Sequence, residues 1–532
     1  MELIKNLIKY FLILLIIVVL AGALMAGVMF VFPSVSLFGF RYVSSHSEYG
    51  FISDVGNSIT KINVETDNYD IIVRPYRSSK SEPTTTKICI SVVSSLTGYS
   101  RNGINETQVK KVGTEEYKSV SLLENDPKLI QNEDGTEFTI VLNEPTGVVA
   151  YGNSKVIISV PEVSQNVQYN LKTNNGAISF EKNSENEEQM ISASNVDVTV
   201  SSIRGSLNLN NLSMADGSDL FINNYIGRVK VDSTKLGNVT INSNSGNFEF
   251  AQIGYEGPSN VGKLTVKGNN PYVKVGTVYG AVNYGKDGAV TTGYLEIGTL
   301  KKEIIYNSIN GILKIDKALS TIEATTESGE ITIGQIGEKG DNFQVDINSK
   351  SGKVTLGGEN KNVYCLSKVL TESGRVVVNN FSEENHDCEI ETTSGSIEVT
   401  FEKSDAIKNL IAKTSSGAIT LNNICGEVSA TTGNNSKIYA NFYKVSKKAN
   451  FNTSNGEVEI VLPVPTNTNI YQLNLKNKQN NLNVDIAGYE KTSFDGEKVD
   501  EYYQFSKVFP DGKTGANEIC VTTSSGRISV HE

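Results

Sequence analysis

Apolar residues alternate with polar ones in short segments of the chain, and each of these segments follows a glycine. After Gly395 the sequence is Ser-Ile-Glu-Val-Thr-Phe, so that Ile397, Val399 and Phe401 occupy every second position. Such alternation places the apolar side chains on one face of a β-strand and the polar ones on the other. The same arrangement follows eight further glycines, Gly176, Gly246, Gly329, Gly352, Gly374, Gly417, Gly456 and Gly526. The pattern predicts a series of half-buried strands, each preceded by a turn.

The spacing of these glycines predicts a structural repeat. From Gly329 to Gly417, successive glycines of the series are 21 to 23 residues apart, a period typical of solenoids. One half-buried strand cannot bury its apolar side alone, whereas coils stacked about 4.8 Å apart pair every backbone group and enclose a continuous apolar interior. The Ser, Thr and Asn residues before each glycine form turns readily, and the glycine is expected to adopt positive φ. The chain is therefore predicted to be all-β, a β-solenoid with coils of about 20–23 residues.

The N-terminal segment predicts a membrane anchor. Residues 10–40 carry no charge, and residues 10–32 are long enough to cross a hydrocarbon core of about 30 Å as one transmembrane helix. Lys5 and Lys9 precede this helix, which predicts a cytoplasmic tail at residues 1–9 and the bulk of the chain outside the cell. We expect an uncleaved signal anchor at 10–32 and a juxtamembrane linker at 33–55. A signal peptide cleaved near residues 21–23 is the alternative.

The repeat divides the rest of the chain into three parts. Residues 56–170 are predicted to form N-terminal β coils, residues 171–462 the solenoid repeats, and residues 463–532 the C-terminal coils and a cap. Open solenoid ends expose unpaired strand edges, which a soluble domain must cover. We expect Ile59 to Pro75 to cover one end and Pro463 to Glu532 the other.

Three segments that interrupt the repeat are candidates for recognition, because long loops on a rigid scaffold often carry binding residues. They are the polar insertion at 78–135, the Gly- and Tyr-rich segment Gly254 to Gly293, which predicts irregular coils, and the loop Tyr489 to Asn517. Aromatic side chains are favoured anchors at interfaces, and the last segment supplies six candidate partner-binding residues, Tyr489, Phe494, Tyr502, Tyr503, Phe505 and Phe509. The alternative is that these rings plug the open end of the core.

Charge and cysteine content exclude some classes of function. The net charge of −11 is spread along the chain without a cluster of Lys or Arg, which argues against nucleic acid as a partner. The cysteines form no CxxC or zinc-like spacing and are expected to be buried thiols. The alternative, for a domain outside the cell, is one disulfide, and Cys365 and Cys388 are the pair whose separation matches one coil. The five cysteines are Cys89, Cys365, Cys388, Cys425 and Cys520.

The residue patterns offer little catalytic chemistry. His46, His386 and His531 are too scattered for a catalytic triad. The segment Glu383 to Glu389, Glu-Glu-Asn-His-Asp-Cys-Glu, gathers metal-ligating residue types, but its place between two strands favours a solvated turn. The sequence contains no calcium-binding loop and no phosphate-binding glycine loop. We therefore expect no catalytic residue, no cofactor and no metal site.

Several stretches give the chain a resemblance to a known family. They include ITKINVETDNYDIIVRP from residue 59, KVIISVPE before YNLKTNNGAISF, the serial glycine-strand units, and EIVLPVP before YQLNLKNKQNNLNVDIAG. With these stretches the chain resembles the adhesin family of bacterial β-helix (β-solenoid) surface proteins, over roughly Ile59 to Val530. The resemblance implies a right-handed β-helix on the cell exterior and a role in adhesion. It brings no catalytic residue.

Three functional hypotheses follow. The first is a membrane-anchored extracellular scaffold, an adhesin or surface-binding protein without catalysis, whose ligand is a surface protein or a glycan. The second is a polysaccharide-acting β-helix enzyme, which should gather charged side chains of successive coils in one groove. The third is a membrane-associated sensor or regulatory partner, whose signal would pass through another protein because residues 1–9 are too short for a domain.

Overall fold

The computed structural model describes residues 9, 11–21, 23, 41–52, 59–75, 88–100, 109–112, 115–118, 127–142, 144, 148–160, 167–182, 190–201, 205–214, 217–223, 226–232, 236–256, 262–286, 288, 290–403, 409–467, 469–495 and 497–532. A helix, α1, occupies residues 11–21. Within these ranges, no helix combines the length and the apolar character that crossing a bilayer requires. Most of the predicted anchor beyond α1, residues 22 and 24–32, lies outside the described residues, as does the predicted cleavage site apart from residues 21 and 23.

The chain forms two compact units, Met1–Val229 and Lys230–Glu532. In the first unit the strands are β1 (Arg41–Ile52), β2 (Lys61–Thr66), β3 (Asp70–Pro75), β4 (Cys89–Ser100), β5 (Val109–Val112), β6 (Glu115–Lys118), β7 (Lys128–Gln131), β8 (Glu137–Val141), β9 (Val148–Tyr151), β10 (Lys155–Val160), β11 (Val167–Thr173), β12 (Ile178–Phe180), β13 (Ile191–Val200), β14 (Leu207–Asn208), β15 (Leu212–Met214) and β16 (Asp219–Asn223). Strand β17 covers Arg228–Val231, where the first unit ends and the second begins.

Two sheets with parallel cores build the first unit. In sheet A the parallel order is β8, β2, β11, β13, and β13 continues to both β15 and β16. In sheet B the parallel order is β10, β3, β12, β14. The strand beside each parallel set runs the other way, since β7 pairs antiparallel with β8 and β4 pairs antiparallel with β10. Strand β1 pairs antiparallel with β4 and so returns to the direction of β10. Antiparallel strands thus flank the parallel strands of both sheets.

This order corrects the predicted position of Ile59 to Pro75. We expected this segment at one end of the stack, but β2 lies between β8 and β11, and β3 lies between β10 and β12. The segment therefore lies inside the stack, and residues that follow it in sequence pair on its outer side. Part of the predicted insertion at 78–135 accordingly forms strands rather than a loop, and part of the predicted linker at 33–55 forms β1.

In the second unit the strands are β18 (Asn238–Asn242), β19 (Ser245–Ile253), β20 (Leu264–Lys267), β21 (Asn270–Val278), β22 (Val282–Tyr284), β23 (Tyr294–Leu300), β24 (Ile304–Ser308), β25 (Ile312–Ala318), β26 (Ile322–Thr326), β27 (Ile331–Ile336), β28 (Val345–Ser349), β29 (Val354–Leu356), β30 (Lys368–Thr371), β31 (Val376–Phe381), β32 (Cys388–Thr392), β33 (Ile397–Phe401), β34 (Asn409–Thr414), β35 (Ile419–Ile424), β36 (Glu427–Thr432), β37 (Ile438–Phe442), β38 (Ala449–Thr453), β39 (Val458–Val461), β40 (Tyr471–Asn477), β41 (Leu482–Ile486), β42 (Tyr489–Lys491), β43 (Tyr503–Phe509), β44 (Asn517–Thr523) and β45 (Ile528–His531).

From β18 to β39, the even-numbered and the odd-numbered strands form two separate parallel sheets. Sheet C runs from β18 through the even-numbered strands to β38, and sheet D runs from β19 through the odd-numbered strands to β39. Each coil contributes one strand to each sheet. The solenoid prediction is confirmed in this form, although the glycine motif marks only the sheet D strand. The segment Gly254 to Gly293, predicted to be irregular, contains β20, β21 and β22 in regular parallel pairing.

The last strands of the chain do not lie at the end of these sheets. Strand β44 pairs with β38 on one side and with β40 on the other, and β45 lies in the same way between β39 and β41. Strands β43 and β42 then pair antiparallel with β40 and β41. Pro463 to Glu532 was expected to cover this end, and within it only residues 489–509 supply the outermost strands. The final coil is inserted between two coils that precede it in sequence.

The Thr/Ser/Gly phrases form corners between the two sheets. Thr392 is buried at the end of β32, and its side-chain oxygen accepts the N–H of Gly395 at 2.8 Å. A threonine three residues before the glycine satisfies a backbone donor that would otherwise be buried without a partner, as in other Ser/Thr turns. The same bond, at 2.9 to 3.1 Å, recurs at Thr414 and Gly417, Thr453 and Gly456, and Thr523 and Gly526.

The corner glycines are required for a different reason from the one predicted. Gly395 is not among the residues with positive φ. Instead, a Cβ at Gly395 would lie 2.0 Å from the carbonyl oxygen of Gly374, and a Cβ at Gly417 would lie 1.9 Å from that of Gly395. Successive corners approach too closely for any side-chain atom, so glycine is required by contact between coils.

Candidate binding surfaces

The six aromatic residues predicted to bind a partner lie at the β42–β43 end of the second unit. Tyr489 begins β42, and Tyr503, Phe505 and Phe509 belong to β43. Because β42 and β43 pair antiparallel with the last parallel strands of sheets D and C, they bring these rings over the end of the apolar interior. The structure therefore brings residues 489 to 509 together at one end of the stack.

The rings contact one another rather than standing apart. The ring centroid of Tyr489 lies 6.2 Å from that of Phe505 and 5.7 Å from that of Phe509, and Phe494 lies 6.3 Å from Tyr503. Phe494 and Phe509 are buried, whereas the other four residues are half-buried. Two of the six candidates are thus core residues, and the other four keep some surface for a partner.

Lys507 lies in the inward-facing register of β43. It is opposite the buried Leu473 of β40, and its ammonium group lies 4.6 Å from the ring centroid of Tyr489 and 5.4 Å from that of Phe509. The same ammonium pairs with Asp511. An inward-pointing charge on an outer strand opposes the addition of a further strand. This contact and the antiparallel direction of β43 make the aromatic cluster a cap, and the partner-binding role of the six residues stays a prediction.

The segment Glu383 to Glu389 forms a turn around a buried carboxylate. Glu383 is fully buried, and its two carboxylate oxygens accept the backbone N–H groups of Leu366 at 2.7 Å, Asn385 at 2.7 Å and His386 at 3.0 Å. Three such bonds satisfy the buried side-chain oxygens and fix the turn between β31 and β32. Across the described part of the chain, no three His, Cys, Asp or Glu side chains are grouped so as to hold a metal ion.

None of the five cysteines, all of which the structure describes, forms a disulfide, and the predicted Cys365 and Cys388 pair is not bonded. Cys365, Cys388 and Cys425 are buried, as predicted, whereas Cys89 and Cys520 are half-buried. Burial raises the pKa of Cys365 to about 11, and burial likewise raises the pKa of Cys388 well above that of an ordinary thiol. Because the thiolate is the reactive form of cysteine, these two thiols are poor nucleophiles.

Each unit has a shallow groove on a polar sheet face. The groove in the first unit has a volume of about 560 Å³ and crosses β8, β2, β11 and β13. In it Asn170 donates to Asn63 at 2.7 Å, Asn63 donates to Thr139 at 3.1 Å, and Lys172 pairs with Glu65. These side chains satisfy one another between coils. The groove in the second unit, about 440 Å³, lies on sheet C beside the corners of β32, β34, β36 and β38.

Charged residues of successive coils form ion pairs on the outer faces. Glu389 lies between two lysines, 2.8 Å from the ammonium of Lys413 and 3.2 Å from that of Lys368. The hydrogen bond from Lys413, followed by that from Lys368, lowers the pKa of Glu389. A carboxylate held ionised in this way serves as an ion-pair partner between coils and is a poor general acid.

The structure also shows an exposed aromatic strip that the sequence analysis did not single out. Tyr272 of β21 and Tyr294 of β23 lie opposite each other on the outer face of sheet D, with ring centroids 4.5 Å apart and planes within 7°. Both fall at or beside the Gly- and Tyr-rich segment Gly254 to Gly293. The two tyrosines are recognised as neighbours only when the strands are aligned in register, because the register places residues 22 positions apart opposite each other.

Comparison with known proteins gives one result for the family. The family model described as Toastrack DUF4097 matches residues 100–400, more than half of the chain. No curated protein matches the chain. No solved structure matches it either. The parallel two-sheet repeats of the two units and this match together show that the chain belongs to the Toastrack DUF4097 family.

Proposed function

We propose that the chain is a membrane-anchored extracellular β-solenoid scaffold, an adhesin or surface-binding protein without catalysis. In this proposal residues 10–32 form the signal anchor, residues 1–9 remain in the cytoplasm, and both β units lie outside the cell. We also propose that the coils wind right-handed, because parallel crossover connections are right-handed in nearly all proteins.

The observation that carries the membrane proposal is the surface of α1. All ten residues from Phe11 to Leu20 are large and apolar, and their side chains are 43 to 65 % exposed. A helix that is apolar on every side requires an apolar environment. Its 11 residues would extend about 16 Å, roughly half of a hydrocarbon core. The uncharged residues 22–32 that follow would supply the remaining length.

Five glutamates act as hydrogen-bond and ion-pair partners of Lys or Tyr, a role that suits a scaffold. Cleavage of a glycosidic bond by general acid catalysis needs a carboxyl group whose pKa is raised. Among the described residues, five glutamates have a pKa that departs clearly from the usual value, and each of the five is lowered by a hydrogen bond from Lys or Tyr. They are Glu137, Glu296, Glu338, Glu389 and Glu501.

Topology is tested by proteolysis of intact cells that carry the full chain with an epitope tag after Glu532. Added protease should remove the tag and the β units, while a cytoplasmic control protein stays intact. Lysed cells with protease inhibitor show that the tag is detectable, and lysed cells without inhibitor show that it is cleavable. Protection of the tag in intact cells alone would place the β units inside and overturn the proposal.

The binding role of the cap is tested with two substitutions. Tyr502→Ser removes a half-buried ring that has the ammonium of Lys478 5.0 Å from its centroid, and should reduce attachment to surfaces without changing the melting temperature. Phe509→Ala removes a buried ring and should lower the melting temperature. If Tyr502→Ser leaves attachment unchanged, the cap has no recognition role.

A further inference from the structure

Three neighbouring coils of the second unit present large apolar side chains in one outward column of sheet D. Tyr272 of β21 is opposite Tyr294 of β23, which is opposite Ile312 of β25. Tyr272 is 37 % exposed and Ile312 is 40 % exposed, and Tyr294 lies between them, half-buried. These three residues, termed the tyrosine strip, form a continuous apolar surface in a sheet whose outer face is otherwise mostly polar.

The same column is polar or small in the coils that follow. In β27 to β37 of sheet D, the equivalent residue directly precedes the first inward-facing residue of the strand. These residues are Glu330, Lys353, Arg375, Ser396, Ala418 and Lys437. Residues at this position need only be compatible with water. The apolar character of the tyrosine strip is therefore not a requirement of the repeat.

Polar contacts fix the ring of Tyr294, the central residue of the strip. The Tyr294 hydroxyl donates to the carboxylate of Glu296 at 2.5 Å, and the ammonium of Lys274 lies 3.0 Å from the same carboxylate. Partial burial and the contact with Glu296 raise the pKa of Tyr294, so this hydroxyl stays protonated as a donor. Side chains fixed before binding lose little conformational entropy when a ligand arrives.

The column beside the strip carries alternating charges. Glu249, Lys274, Glu296 and Lys314 follow one another in register across four coils. Two carboxylates and two ammonium groups cancel, so the surface has no net attraction for an anionic or a cationic ligand. A neutral ligand with hydrogen-bonding groups fits this column.

The strip is too small for a stable protein interface. Large aromatic residues bury about 150–250 Å² each when fully covered, so three residues exposed by about two fifths or less offer roughly 200 Å² in total. A stable protein complex buries about 800 Å² on each partner. The size therefore favours a small or chain-like ligand over a second protein or a second copy of this chain.

We propose that the tyrosine strip binds a neutral oligosaccharide. The apolar C–H faces of the sugar rings would lie on Tyr272, Tyr294 and Ile312, and sugar hydroxyls would bond to Glu296 and Lys274. This inference rests on the proposed surface-binding function, for which it names a site separate from the aromatic cap and a ligand class. Uncharged pyranose chains combine an apolar face with hydroxyl groups at the ring edge, which matches an apolar strip beside a neutral polar column.

The test measures binding of cellotetraose and chitotetraose to the detergent-solubilised full chain by calorimetry. Tyr272→Ala should weaken binding of the preferred tetrasaccharide by about tenfold, the equivalent of one aromatic contact. Ile312→Thr keeps a β-branched residue in the strand and should weaken binding less. Tyr439→Ala is the matched control, because Tyr439 also lies on the outer face of sheet D but between Thr420 and Glu459, and it should leave binding unchanged.

Several results would overturn the inference. They are the absence of saturable binding to both tetrasaccharides, equal binding by wild type and by both strip variants, and binding confined to a charged tetragalacturonate. A change of oligomeric state in Tyr272→Ala, seen by sedimentation, would assign the strip to self-association instead. If Tyr272→Ala fails to fold, Ile312→Thr decides. The binding assay uses the purified chain and is independent of topology, so its failure is distinct from failure of the proteolysis test.

Discussion

Replacement of Gly395 by alanine tests whether contact between coils fixes the repeat. The new Cβ would lie 2.0 Å from the carbonyl oxygen of Gly374, whereas Cβ contacts below 3.0 Å are essentially not observed. The two corners must therefore separate by about 1 Å. The N–H of Ser394 donates to the carbonyl of Glu372 at 2.7 Å, and this separation would stretch the bond beyond hydrogen-bonding range.

The magnitude follows from these two effects. A lost hydrogen bond costs about 1 kcal/mol, and insertion of a methyl group into a packed site costs about 1–3 kcal/mol. We expect Gly395→Ala to lower the free energy of unfolding by about 2–4 kcal/mol. The control is Gly488→Ala, since Gly488 has φ of +76° and no atom within 4 Å of its Cβ position, so that only backbone strain of about 1–2 kcal/mol applies.

The assay is urea unfolding of the full chain in detergent, followed by circular dichroism and by hydrogen exchange. A repeat array need not unfold in two states, so the transition midpoint is compared between variants. Gly395→Ala should also speed hydrogen exchange in the neighbouring coil at residues 372–376, whereas Gly488→Ala should act only locally. If Gly395→Ala destabilises no more than Gly488→Ala, close packing of the corners is not the reason for glycine.

Three further predictions concern the same unit. Ile397→Asp should destabilise the chain far more than Glu398→Gln, because the first buries a carboxylate. The second weakens only an outer-face ion pair with Arg375 at a half-exposed residue and should cost less than about 0.5 kcal/mol; equal urea midpoints would contradict this. Deletion of residues 517–532 removes β44 and should leave β38 and β40 without this pairing partner. If sedimentation nevertheless shows a soluble, monomeric product, the inserted coil is dispensable. Glu389 has a lowered pKa because it accepts a hydrogen bond from Lys413, so its contribution to stability is present above the ordinary glutamate pKa of 4.5 and is lost as pH falls through the lower folded value. Glu389→Gln should therefore make the urea midpoint less sensitive to acid. An unchanged acid dependence would refute this role of Glu389.

The alternation of residues was enough to predict the inward and outward faces of the coils. Ile397 and Val399 are buried and Glu398 is half-exposed, because successive side chains of a strand point to opposite faces of the sheet. The turn chemistry of Thr392 and Gly395 was also predictable, but the reason for glycine was not. A turn glycine suggests positive φ, whereas the approach of Gly374 is visible only when the coils are stacked.

The order of the coils at the ends could not be predicted. Strands β40 and β44 have similar alternating patterns, so either one satisfies the apolar requirement of β38. Nothing in the sequence excludes direct pairing of β38 with β40, which would follow chain order. The observed pairing of β38 with β44 depends on long-range packing. The tyrosine strip was missed for a related reason, since Tyr272 and Tyr294 become neighbours only after the register is known.

The inserted final coil also sets a constraint on the timing of folding. Residues 449–461 and 471–486 are synthesised before residues 517–531, yet the two earlier coils are each hydrogen-bonded to the later one. Direct pairing of β38 with β40 during synthesis would occupy the place of β44 and would have to be undone. Closure of this end therefore requires residues 517–531 and the pairing of β38 with β44 across about 70 residues of chain, a slow, non-local step. A chain halted before residue 517 would retain open strand edges on β38 and β40, so closure of this end of the solenoid cannot precede synthesis of residues 517–531.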